Sequence, residues 1–246
     1  MRFVFPDARE WKYIVESLAS LVYEAGFVAS PDGLRVRALE PGRVAMVDLY
    51  MPRDLFEEYT AEQEERIGVV LGDIVDVLKR VRPGENVAFE ATKEHLTIAL
   101  TGKAEKKFRF PLLDLPGQEV PSLKLNFTVT AKMPSDTFRD ALRDVSLMSG
   151  EVSVKAEDTC LWLTGKSDKG EAEARLSVET GSLIEIDVEE PTEASYAAKF
   201  LDEAVSKACK VSRVLDLRFA TDGPLEMRFD IAGGGTLRYF VAPRVR

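Results

Sequence analysis

Two hydropathy periods alternate along the chain. Helical spacing comes first at Trp11, Ile14, Val15, Leu18, Leu21 and Val22, after Pro6-Asp7, where Asp7 can cap. Arg9, Lys12, Tyr13, Glu16 and Ser20 lie on the opposite face. A second helix is predicted over residues 72–81, with Leu71, Ile74, Val77, Leu78 and Val81 inward and Asp76, Lys79 and Arg80 outward. Arg82-Pro83-Gly84 stops it. A third follows Met133-Pro134-Ser135, read as its cap, with Phe138, Ala141, Leu142 and Val145 inward and Asp136, Arg139, Asp140 and Arg143 outward. The fourth is predicted over 193–210, burying Tyr196, Ala197, Phe200, Leu201, Ala204 and Ala208, with Lys199, Asp202, Ser206 and Lys210 opposite. Short strand-like runs, many of them alternating, fill the remainder and are separated by turns such as Pro31-Asp32-Gly33 and Glu40-Pro41-Gly42. Residues 62–66 read as a charged turn.

The pattern occurs twice: strand, helix, strands, helix, three strands. Pro6-Asp7 recurs as Pro134-Ser135, and Phe108-Arg109-Phe110-Pro111 is echoed by Tyr239-Phe240-Val241-Ala242-Pro243. Between the halves, three prolines and a glycine over 111–121 exclude a helix interior or a central strand. Leu112, Leu113, Leu115 and Val120 make this stretch apolar, so it reads as an extended strap rather than a solvated linker. The expected class is α+β, with two similar domains (1–110 and 125–246) joined by the strap (111–124). Each domain carries two helices on antiparallel sheets.

Of 246 residues, 45% are hydrophobic and 30% charged, with a net charge of -9. No apolar run approaches a membrane span of about 18 residues, and no signal-peptide pattern is present. The two cysteines, Cys160 and Cys209, make no disulfide framework and favour a reducing, cytoplasmic setting. The search for chemistry yields no active site. His95 is a lone turn histidine without a nucleophile motif. The cysteines have no partner at zinc-ligand spacing, and no helix follows Gly233-Gly234-Gly235 as a phosphate loop requires. The reading is of a protein that is not an enzyme and needs no cofactor or metal. What remains is electrostatic: all four predicted helices carry bases opposite their apolar stripe, namely Arg9 and Lys12, Lys79 and Arg80, Arg139 and Arg143, and Lys199 and Lys210. Glu16, Asp76, Asp140 and Asp202 share those faces, so ordinary solvated helix surfaces are the competing explanation.

Lys132-Met133-Pro134-Ser135 with Phe138 resembles the start of the second domain of sliding clamps related to proliferating cell nuclear antigen. Residues 237–245 resemble that family's basic-aromatic-Ala-Pro ending. Pro224-Leu225, Arg43-Val44-Ala45-Met46-Val47 and the mid-chain strap fall in the family's order, and the short tail looks archaeal. The resemblance implies the DNA-clamp fold: a trimeric ring of two-domain subunits threaded by double-stranded DNA without base specificity. Such a ring acts as a processivity factor in DNA replication and repair, tethering DNA polymerase, flap endonuclease, DNA ligase and the clamp loader. It would be nucleoid-associated, or nuclear in a eukaryote. The eight bases above would face DNA. Strand edges carrying Lys106, Phe108 and Phe110, and Ala174, Leu176 and Val178 after Ala172, would form the subunit interface. Client peptides would bind Leu39, Val44, Met46, Val120 and Pro121 together with Pro224, Phe240, Ala242, Pro243 and Val245. Leu39 and Arg43 depart from the most familiar relatives, and Asp76 stands where relatives often carry a base. A specialised subunit of a heterotrimeric or checkpoint clamp stays open, as does a small-molecule enzyme on a duplicated scaffold.

Overall fold

The computed structural model describes residues 1–115 and 125–244. The first half runs β1 (Arg2–Phe5), α1 (Ala8–Ala19), β2 (Glu24–Ser30), β3 (Gly33–Leu39), β4 (Ala45–Pro52), β5 (Glu58–Thr60), β6 (Glu65–Val70) and α2 (Leu71–Leu78). It closes with β7 (Asn86–Ala91), β8 (His95–Thr101) and β9 (Glu105–Pro111). The second half repeats the order: β10 (Val129–Pro134), α3 (Ser135–Ser146), β11 (Glu151–Glu157), β12 (Cys160–Ser167), β13 (Gly170–Ser177), β14 (Glu185–Val188), β15 (Thr192–Ala197) and α4 (Ala198–Ala208). Then come β16 (Val214–Phe219), β17 (Leu225–Ile231) and β18 (Gly235–Val241). Two compact units result: Met1–Pro41, Val47–Val120 and Ile231–Leu237 in the first, and Gly42–Met46, Pro121–Asp230 and Arg238–Arg246 in the second.

In the first unit β5-β1-β7-β8-β9 form a five-stranded antiparallel sheet, and β2 pairs with both β3 and β6. Helix α1 begins as the sequence predicts, with the Asp7 carboxylate accepting from the Arg9 amide at 2.8 Å. It drives Trp11 into a cluster of rings, where Trp11 meets Phe3 edge-on at 5.5 Å and Phe3 stacks on Phe89 at 4.9 Å. Such ring pairs each contribute about 0.5–1.5 kcal/mol beyond area burial. In the second unit β13-β12-β11-β15 form a four-stranded sheet, and β14-β10-β16-β17 run alongside one another. Phe138, Leu142, Val145, Leu161, Leu163, Tyr196 and Leu201 are buried there.

The duplication is visible in backbone hydrogen bonds. Ala8 donates to the Glu85 carbonyl, and Ser135 to that of Arg213; Leu71 donates to Tyr23, and Ala198 to Gly150. In each unit the first helix is therefore pinned at its start by a residue shortly after the second helix. The second helix is pinned by a residue shortly after the first. These bonds satisfy amides that a helix start leaves open. They explain why α2, α3 and α4 begin without side-chain caps. The Ser135 cap expected from sequence is corrected accordingly, since its hydroxyl donates to the Ser212 carbonyl at 2.9 Å.

Three further readings are revised. The fourth helix starts at Ala198, and Tyr196 and Ala197 are buried from strand β15, in register with Val152 and Glu151 of β11. Helix α2 ends at Leu78, where Arg80 and Val81 donate to Val77 and Leu78 in a tightened last turn, so Lys79 and Arg80 sit at its end rather than on its face. The charged turn is shorter than expected, because Glu65 and Arg66 already belong to β6. Of the strap, Leu112 donates to Glu94 at 3.0 Å and Leu113 to Gly68 at 2.9 Å. Pro116, Gly117, Val120 and Pro121 lie outside the described residues.

Candidate nucleic-acid, subunit and client interfaces

Helices α1 and α2 pack against each other in the first unit, and α3 and α4 in the second. Their apolar stripes are consumed by the cores, which leaves the polar faces for solvent or a ligand. The bases on those faces are mostly partnered: Arg9 with Asp7 at 3.6 Å, Lys12 with Glu16 at 3.8 Å, and Lys79 with Asp76 at 2.8 Å. Arg139 pairs with Asp140 at 2.8 Å, and Lys199 with Glu203 at 3.7 Å. Arg143 bridges α3 to α4, reaching Asp202 at 3.0 Å and the Ser206 hydroxyl at 2.9 Å. Arg80 is exposed and has no ion pair among the described residues. Lys210 is exposed beyond the end of α4. Ion pairs at a solvent-facing surface are weak, so a phosphate can replace the carboxylate at small cost. Asp76 holds the Lys79 ammonium above its usual range, first by its hydrogen bond and then by its charge.

Two sheets end in open strands. Among the described residues, β9 closes the five-stranded sheet and pairs with β8 alone, and β13 closes the four-stranded sheet and pairs with β12 alone. Along β9, Lys106, Phe108 and Phe110 are half-buried while the residues between them are exposed. Lys106 is tethered within its own unit by a 2.7 Å bond to Glu85. That bond, with the Arg82 amide at 2.8 Å, holds the Glu85 carboxyl below its usual range. On β13, Ala174 is half-buried, whereas Leu176 is only 5% exposed and already belongs to the core. Val178 lies just past the strand and is 46% exposed.

The expected client residues divide by burial. Val44, Pro224, Ala242 and Pro243 are half-buried, and Ala242 donates to the Val44 carbonyl at 2.8 Å, which joins the two segments within the second unit. Met46 and Phe240 are 3% and 9% exposed and so present almost no face to a ligand. Leu39 is half-buried in the first unit. Val120, Pro121 and Val245 lie outside the described residues. One cluster escaped the sequence reading. Asp48, 1% exposed, takes Arg35 through two bonds, at 3.1 and 2.8 Å, and also Arg37 at 3.1 Å. The only signal was the alternation of Arg35 and Arg37 on one strand.

No group of three or more His, Cys, Asp or Glu among the described residues is placed to hold a metal. His95 is half-buried, with Nδ1 3.9 Å from Glu94. Each cysteine sulfur accepts from a guanidinium, Cys160 from Arg175 at 3.0 Å and Cys209 from Arg139 at 3.3 Å. No described helix is long and apolar enough to cross a membrane.

A duplicated α+β chain with paired helices and sheet edges left open among the described residues is the architecture of a clamp-type scaffold. Residues 3–116 match the N-terminal domain of proliferating cell nuclear antigen, and residues 121–244 match its C-terminal domain. The chain belongs to the proliferating cell nuclear antigen family of DNA polymerase sliding clamps, in its archaeal form, and members of this family are not enzymes. It is 63% identical over 245 residues to a DNA polymerase sliding clamp of Thermofilum pendens, covering 100% of this chain and 99% of that one. DNA polymerase sliding clamp 1 of Pyrobaculum aerophilum is 36% identical over 97% of this chain and 96% of its own length. A crystal structure of a PCNA2–PCNA3 complex from Sulfolobus tokodaii aligns over 99% of both chains with a TM-score of 0.92 and 31% identity.

Proposed function

We propose that this chain is one subunit of a three-membered ring that encircles duplex DNA and tethers DNA polymerase, flap endonuclease, DNA ligase and the clamp loader. It would work in the cytoplasm at the nucleoid. The observation that carries this reading is the pair of open strand edges, β9 and β13, which end different sheets. An unpaired edge is a template for another strand. Joining one edge to a different edge on the next subunit is a heterologous contact, which closes a ring when the rotation suits.

The polar faces of α1, α3 and α4, with Arg9, Lys12, Arg139, Arg143 and Lys199, and the ends of α2 and α4, with Lys79, Arg80 and Lys210, meet phosphates and read no bases. Clients bind through the Val44–Ala242–Pro243 patch, with Pro224, Leu39 and the strap residues Val120 and Pro121. An anchor on that patch gains most of its affinity from a few buried side chains. The Sulfolobus structure is a complex of two different clamp chains, which favours a second form of the same reading: a ring completed by sister subunits.

The test is the mass in solution. The purified chain, alone or with sister clamp chains, should sediment near three times 27.4 kDa and be retained on circular but not on short linear duplex. A chain that stays monomeric at high concentration, with no sister to rescue it, refutes the ring.

A further inference from the structure

The outward side of β2, β3 and β6 carries a depression of about 360 Å³. Gly26, which has no side chain, lines it, and Gly68 stands opposite in the β2–β6 register. Arg66 lies flat over Gly26, so close that a Cβ there would meet its Nε at 2.9 Å. Leu115 covers Gly68, with Cγ 2.8 Å from the equivalent position. Leu39, Leu115 and Pro41 supply apolar walls, and Arg37 and Arg66 supply two guanidinium groups.

The two guanidinium groups that line this depression differ in their partners. Asp48 is buried and serves both Arg35 and Arg37. Glu24 lines the rim but is exposed and forms no ion pair among the described residues. Arg66 is exposed and likewise has neither an ion pair nor a side-chain hydrogen bond there. Of the two guanidinium groups that line the depression, Arg37 is held by Asp48, and Arg66, which overlies Gly26, is the one without an ion pair among the described residues. A guanidinium fork matches a carboxylate with two parallel bonds. The apolar walls lower the local dielectric, which strengthens that pair relative to open water.

We infer that this depression takes an Asp or Glu side chain flanking the anchor segment of a client peptide, and that Arg66 is the group that binds it. The inference rests on the client reading above through Leu39, which belongs to the proposed client site and also lines the depression. It adds a rule of selection: clients with an acidic flank are preferred to clients with a basic one.

The experiment titrates the full-length chain with peptides that share one aliphatic-aromatic anchor. One has neutral flanks, one has two Glu before the anchor, one has two Glu after it, and a matched pair carries Lys at those positions. At low salt, one of the two Glu peptides should bind about three- to tenfold more tightly than the neutral peptide, and the advantage should shrink as salt rises. Arg66→Gln should erase the advantage and leave neutral-peptide affinity unchanged. Arg66→Glu should transfer the advantage to the matching Lys peptide, an effect that loss of fold does not produce. Equal wild-type affinity for neutral and Glu peptides overturns the inference while the client reading stands. An advantage that survives in Arg66→Gln overturns it as well, as does a variant that loses duplex DNA retention instead. Failure of the neutral peptide to bind wild type at all is a separate result, which removes the client reading and this inference together.

Discussion

Replacing Gly68 by Ala should lift the first residues of the strap from β6 while leaving both units folded. The added Cβ would stand 2.4 Å from the Leu113 carbonyl oxygen and 2.8 Å from Leu115 Cγ, closer than such atoms approach. Gly68 does not have positive φ, so the effect is steric and owes nothing to backbone strain. The strap must retreat by roughly 1 Å to restore ordinary contact. That movement breaks the 2.9 Å bond from the Leu113 amide to Gly68, with a loss of about 0.5–1.5 kcal/mol. Leu115 is half-buried and loses roughly half of a leucine's full burial value, about 1 kcal/mol. The total, about 2 kcal/mol, is a ceiling, because a fully detached strap has nothing more to lose. Native-state hydrogen exchange reads it directly: the Leu113 amide should exchange about thirtyfold faster. If the unit melts cooperatively, Tm should fall by about 4–8 °C. Gly72→Ala is the control. Its Cβ meets only Tyr23 Cε2 at 3.9 Å, and it lies within α2, so it should stabilise by up to about 1 kcal/mol. Wild-type exchange at Leu113 together with an unchanged Tm in Gly68→Ala refutes the reasoning.

Glu85→Gln should lower Tm at neutral pH, because the Glu85 carboxyl is held below the ordinary carboxylate range by Lys106 and the Arg82 amide. A depressed carboxyl stabilises above its unfolded value and loses that contribution as pH falls through the lower folded value, so wild type and variant should converge in acid. Leu176→Asp should destabilise the isolated chain, since it buries a carboxylate in the core; thermal melts of the monomer check this. Val178→Asp, at an exposed position, should leave the melt unchanged and weaken assembly measured by sedimentation. Arg80→Ala should reduce the log-log salt slope of DNA retention by about 0.9. Arg143→Ala should reduce it similarly while also unlinking α3 from α4; an unaltered slope in both variants removes these residues from the phosphate contacts.

The helical stripes were legible because α1 and α3 are long enough to repeat their period and bury the residues that it picks out. Trp11, Ile14, Val15 and Leu18 are buried in one, and Phe138, Leu142 and Val145 in the other. The start of α4 was not, because Ala194, Tyr196, Ala197 and Ala198 suit a strand and a helix equally. Their state is decided by the ladder with β11, which is remote in sequence. Strand β5 is only three residues long and carries no period at all. The cap at Ser135 failed for a related reason: the carbonyl that satisfies the helix start comes from Arg213, and no local pattern announces it. At the sites, residue type was readable and burial was not. Phe240, Met46 and Leu176 carry the apolar character expected of contacts, but the chain has already covered them. Arg66, which falls in the stretch read as a charged turn, is distinguished only by the glycine beneath it and by forming no ion pair among the described residues.

A net charge of -9 and a DNA partner are reconciled by how the bases are held. A protein that grips DNA presents unneutralised cations, and each phosphate contact it makes releases counterions and deepens binding. Here the bases of α1 and α3 are joined to carboxylates on the same faces, Lys12 to Glu16 and Arg139 to Asp140. On the proposed reading, a phosphate drawn to such a face exchanges with the carboxylate, and the carboxylate recovers its base when the phosphate leaves. Making and breaking a contact are then nearly balanced, and no contact favours one register along the duplex over the next. Tight attachment would obstruct movement along DNA, and a surface without bases would give no guidance. On the proposed reading, the intermediate arrangement suits a clamp whose retention comes from ring closure, while its faces supply only weak, exchangeable contacts. Arg143 carries the argument furthest, because its Asp202 and Ser206 partners lie on α4. On the same proposed reading, releasing it to a phosphate would loosen one helix from the other and so couple DNA contact to the packing of the helix pair.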